Sequence, residues 1–96
     1  FLTGHPDPLA ESLRRVAAYA EAGADVIYVP GLATPEQIGA VVRAVVRAVA
    51  PLPVNLLMSR PLGLTMDDVA ALGVRRVSLG GALSGMAWGA VMRAVE

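Results

Sequence analysis

Cysteine is absent from the 96 residues, which excludes a disulfide framework, a thiolate metal site and a cysteine nucleophile within them. Lysine is absent as well. All eight basic residues are arginines, and eight acidic residues bring the formal charge to zero. The pairs Arg14–Arg15 and Arg75–Arg76 form no basic stripe and have no aromatics interleaved, so no nucleic-acid partner is expected. The longest apolar stretches are broken by Arg, Gly or Pro well short of a membrane span, and no signal-peptide pattern opens the chain. The expectation is a cytoplasmic protein with no membrane partner.

What the chain does have is apolar surface: 55% hydrophobic residues against 17% charged, with a mean hydropathy of +0.59. A single small domain has much surface to cover with polar groups. This balance therefore implies that apolar area is buried against more of the same chain or against another subunit. Phe1 and Leu2 read as the tail of a strand, and the expectation is a piece of a longer polypeptide.

Ala22 to Gly31, AGADVIYVPG, is the stretch on which the rest is patterned. Gly23 stops a helix that runs from Pro8 to Ala22, capped by Asp7 and bearing Leu9, Leu13, Val16, Ala17 and Ala20 on one side. Val26 to Val29 then form an apolar run without polar alternation, which predicts a strand at about 25–30 with both faces covered. Thr34, Pro35 and Gln37 start a second helix, whose stripe is Ile38, Val41, Val42, Val45, Val46 and Val49; Arg43 and Arg47 sit opposite, and Pro51 ends it. A strand over 53–58 follows, then a short helix capped by Thr65 with Asp68 at its third position. Gly73 stops that helix, a strand runs over 74–79, and a last helix spans Ala82 to Val95. The order (β)αβαβαβα predicts parallel strands with alternating helices: a doubly wound sheet or part of a (β/α)8 barrel.

The sequence helix–AGAD–strand–VPG–helix, then PLPVN, then LGVRRVSLGGAL, resembles the C-terminal part of the isocitrate lyase/phosphoenolpyruvate mutase family. The resemblance implies that residues 1–96 are the C-terminal half of a TIM-type (β/α)8 barrel, from the tail of its fifth strand to its eighth helix. It also implies Mg²⁺-dependent lyase or mutase chemistry on a small 2-oxo acid or phosphono-carboxylate. Such chemistry makes or breaks a C–C or P–C bond through an enolate-like species. The catalytic groups and acidic metal ligands are then expected upstream of Phe1, so that these residues alone would be inactive. The family further implies a homo-oligomer, a tetramer with an exchanged last helix.

Pro30 stands where the lyases have a Glu near the metal and the mutase a His, and Leu57 stands where the lyases have an Asn; both are departures. Ser59 aligns with a Thr that faces substrate, so its hydroxyl is a candidate donor to a substrate carboxylate. Asn55 is the second candidate substrate-binding residue, weighed against a buried barrel-layer amide bonded to a neighbouring strand. His5 reads as a solvated turn residue. Asp67 and Asp68 are expected to serve a helix N-terminus rather than a metal, and Asp25 lies at the stability end of a strand. Met86, Trp88 and Met92 are expected to pack, with Trp88 as an anchor between subunits. Two other readings stay open. One is a different phosphate-binding (β/α)8 enzyme with Gly80–Gly81 as its anion site; the other is a non-catalytic half-barrel assembly module.

Overall fold

A short polar residue opens each of the first three helices. Asp7 accepts the Ala10 amide ahead of α1 (Pro8–Glu21). Thr34 and Gln37 cap each other's backbone at the start of α2 (Pro35–Ala48). Thr65 and Asp68 form a full capping box on α3 (Met66–Ala71). Each such cap typically contributes about 1 kcal/mol. The computed structural model describes residues 1–48 and 52–96. Val49 and Pro51 lie outside the described residues, as do the side chains of Val46 and Arg47.

Two helices end in the same way. Behind α1, Gly23 N–H reaches the Ala20 carbonyl and Ala24 N–H the Tyr19 carbonyl. Behind α3, Gly73 and Val74 repeat the pattern on Ala70 and Val69. Both glycines have φ near the left-handed region, +98° and +93°, where a side chain would be strained. A β carbon on Gly73 would also come within 2.8 Å of Val42 Cγ1 in α2.

The strands are shorter than the sequence suggests: β1 (Ile27–Tyr28), β2 (Val54–Leu57) and β3 (Arg76–Ser78). They pair in parallel, in the order β1-β2-β3. Phe1 and Leu2 are not part of this sheet; Phe1 is half-buried against the core.

All the helices that pack do so on one face of the sheet. Ile27, Val29, Val54 and Leu56 point into a core shared with Val16 and Ala20 of α1, Ile38, Val41 and Val45 of α2, and Val69 of α3. Burying an aliphatic side chain to this extent stabilises by about 1.5–3 kcal/mol. The opposite face is open. Val26 is 43% and Tyr28 49% exposed, while Ile27 and Val29 are 2% and 6% exposed. The expectation that both faces of this strand are covered is therefore corrected. The residues are apolar throughout, but their burial alternates because helices lie on one side only.

The last helix, α4 (Ala82–Val95), has the predicted bounds but does not pack on its own chain. None of its residues is buried, and Met86, Trp88 and Met92 are 71%, 66% and 58% exposed. Its apolar side chains are spread round the axis rather than gathered on one side, and α4 leads away from the sheet instead of lying back on β3. No described helix is long and apolar enough to cross a membrane.

Candidate functional site

Strand register determines which side chains share the open face. Tyr28 is level with Asn55, Asn55 with Arg76, and Leu57 with Ser78. Alternation along each strand then puts these five side chains on the face that the helices leave uncovered. Three of them are joined. Arg76 Nη1 donates to Asn55 Oδ1 at 2.8 Å, and Asn55 Nδ2 donates to Ser78 Oγ at 2.9 Å. Asn55 is 3% exposed, and its two polar ends are both satisfied, as a buried amide requires. Asn55 is thus a buried amide bonded to the neighbouring strand β3.

In the sequence alone Arg76 stands out only as half of a basic pair, and Ser78 does not stand out. The available signal was the alternation in RRVSL: Arg76 and Ser78 are two apart and share a face, whereas Val77 lies on the other with Leu56.

Ser59 lies beyond the end of β2 and is exposed. Its neighbour is the turn between β3 and α4. A β carbon on Gly80 would sit 3.6 Å from Ser59 Cβ and 3.0 Å from Leu57 Cδ1, and Gly80 has φ +55°. So the fold brings Ser59 and Gly80, two separate anion candidates, side by side at the C-terminal ends of the strands. Leu57 packs over that turn and offers no polar group, and Pro30 offers none at the end of β1.

The remaining candidates have local roles. His5 is exposed, and its Nδ1 accepts the Asp7 amide at 3.0 Å. Asp68 accepts the Thr65 amide; that bond and the Thr65 hydroxyl hold its carboxyl below the usual range. Asp25 and Asp67 are exposed. Among the described residues no group of three His, Cys, Asp or Glu side chains could hold a metal ion.

Two apolar clefts flank the sheet. One of about 450 Å³ runs along the unpaired side of β1, between Tyr19, Val26, Tyr28 and Pro30. The other, also of about 450 Å³, is lined by Met58, Met66, Val77, Leu79 and Met86 where α4 departs.

Comparison with known proteins places this arrangement. Residues 1–96 match the family described as phosphoenolpyruvate phosphomutase. A candidate lyase/mutase from Burkholderia cenocepacia J2315 is 47% identical in sequence and superposes with a TM-score of 0.86, over 99% of this chain and 32% of its own. A candidate phosphonomutase from the same organism is 35% identical with a TM-score of 0.75, over 97% of this chain and 36% of its own. An uncharacterised Mycobacterium tuberculosis protein, found in strains CDC 1551 and H37Rv, is 37% identical over 81 residues. The chain spans only 28% of the length of that curated relative. With the match running over every residue and the parallel strands superposing on two lyase/mutase relatives, the chain belongs to the isocitrate lyase/phosphoenolpyruvate mutase family.

Proposed function

We propose that these residues form the C-terminal half of a (β/α)8 barrel whose chemistry is that of a lyase or phosphonomutase. The substrate is a small 2-oxo acid or phosphono-carboxylate, and a C–C or P–C bond is made or broken through an enolate-like species. The observation that carries this reading is the one-sided sheet. Helices cover one face, and the face left open presents Arg76, Asn55 and Ser78 in one bonded row. A sequential parallel order with helices on a single side is the geometry of a barrel wall; a doubly wound sheet is covered on both sides.

The chemistry of the open face suits an oxyanion. Its charged group is a guanidinium, and no carboxylate projects from the three strands on that side. Ser59, at the strand ends where barrels of this type carry their active sites, is the residue proposed to donate to a substrate carboxylate. Asn55 is proposed to act from one layer below.

Mg²⁺ is the family's implied cofactor, and the described residues do not fit it. The open face offers guanidinium, amide and hydroxyl groups, whereas Mg²⁺ takes carboxylate oxygens. Its ligands are therefore proposed to lie outside these residues, and no step is derived through the metal. Pro30 and Leu57 likewise supply no polar group, so the reaction of neither characterised branch is carried over unchanged.

The apolar α4 fits a homo-oligomer in which this helix crosses to a neighbouring copy. A helix that is apolar all round is one that is covered on several sides. The test of the catalytic reading is calorimetric titration of oxalate and pyruvate into the intact protein, with and without Mg²⁺. Binding that appears only with the metal is expected; indifference to it would overturn the assignment.

A further inference from the structure

We propose that Arg76 is a positioning residue which, acting through Asn55, holds the Ser78 hydroxyl as a hydrogen-bond donor on the open face of the sheet. A guanidinium carries donors only, so the end of the Asn55 amide beside it has to be the oxygen. Arg76 Nη1 lies 2.8 Å from that oxygen. The NH₂ end is thereby turned to Ser78, whose Oγ accepts it at 2.9 Å.

A hydroxyl that accepts in this way sends its own proton elsewhere, and among the described residues nothing accepts it. Without Arg76, the same atoms have a second arrangement. The amide turns over, its oxygen accepts from Ser78, and the hydroxyl proton is consumed within the sheet. Arg76 selects between the two. Arg76 is itself exposed and positively charged, so the pair offers a hydroxyl donor and a cation to whatever approaches. The ligand class is an oxyanion: a carboxylate, a phosphonate or an enolate oxygen. That use rests on the function proposed above, whereas the relay rests only on the geometry.

Two measurements on the intact protein separate these levels. The first is solvent exchange of the Asn55 side-chain amide protons, followed by ¹⁵N NMR. Ser78→Ala removes the acceptor, and exchange is expected to quicken about tenfold, the equivalent of one hydrogen bond. Arg76→Met is expected to match it, because the NH₂ end leaves Ser78. Arg76→Lys, again a donor without acceptors, restores the slow exchange. Met and Lys both keep the apolar stem, so a merely structural role would not distinguish them. Unchanged exchange in Arg76→Met, or a Lys variant as damaged as the Met variant, would overturn the relay.

The second measurement is oxalate affinity with Mg²⁺ present. Arg76→Met and Ser78→Ala should each weaken it, and the double variant no further than the weaker-binding single one. Additive losses would overturn the relay. If the unaltered protein fails to bind oxalate, the proposed function falls, and the amide exchange still decides the relay.

Discussion

Two helices of equal length, α2 and α4, are both rich in aliphatic residues and meet opposite fates. Ile38, Val41 and Val45 of α2 are essentially inaccessible, because they lie on one side and a sheet face with Val54 and Leu56 is there to receive them. In α4, Leu83, Met86, Trp88 and Val95 are all more than 60% exposed. Hydrophobicity supplies the drive for burial, but only a docking surface at the right place converts it into packing.

The sharpest way to break this comparison is to truncate equivalent apolar residues in the two helices. Ile38→Ala leaves a cavity in a closed core and should cost about 2–5 kcal/mol of stability in urea unfolding. The next contrast is between glycines. Gly73→Ala forces a β carbon into Val42 at a backbone angle suited to glycine and should cost about 1–3 kcal/mol. In α4 a β carbon on Gly85 meets nothing within 4 Å. Gly85→Ala should therefore stabilise the helix by about 0.5–1 kcal/mol; a loss instead would mean that a neighbour packs closely there.

Trp88→Ala should leave the unfolding free energy of the dilute chain within about 0.5 kcal/mol of its starting value. It should, however, weaken self-association measured by sedimentation equilibrium. No change in association would remove Trp88 as an anchor between copies.

The smallest effect is expected on the solvent side of α1. There Glu11 is paired with Arg14 at 2.7 Å and with Arg15 at 2.6 Å. Hydrogen bonds from Arg14 and then Arg15 lower its carboxyl from 4.5 to about 2. Because the folded value is the lower one, the contribution is present above about pH 4.5 and is lost as pH falls towards 2. NMR titration should return Glu11 towards its ordinary value in the Arg14→Ala/Arg15→Ala variant. Solvent screening keeps the stability change slight.

How far the sequence could be read follows the range of the forces involved. The capping pairs Thr34–Gln37 and Thr65–Asp68 and the stops at Gly23 and Gly73 were legible because each is settled within four or five residues. The strands expected over 25–30, 53–58 and 74–79 were placed correctly but drawn too long, since their ends depend on what the neighbouring strand offers, and the tail expected at Phe1 and Leu2 is not part of the described sheet. The row Arg76–Asn55–Ser78 was illegible from either segment alone. It requires that Asn55 be level with Arg76 across the twenty residues of chain that lie between them, and that both turn to the same side.

Local chemistry in the sequence therefore determined the element order, the helix ends and the apolar stripes, because backbone preference, capping and periodicity act between near neighbours. The tertiary structure decided which face of the sheet stays open, which arginine of the Arg75–Arg76 pair joins the polar row, and that α4 buries nothing on its own chain. Those outcomes depend on register and on the presence of a complementary surface. Both are properties of segments brought together, and neither is encoded at a single position.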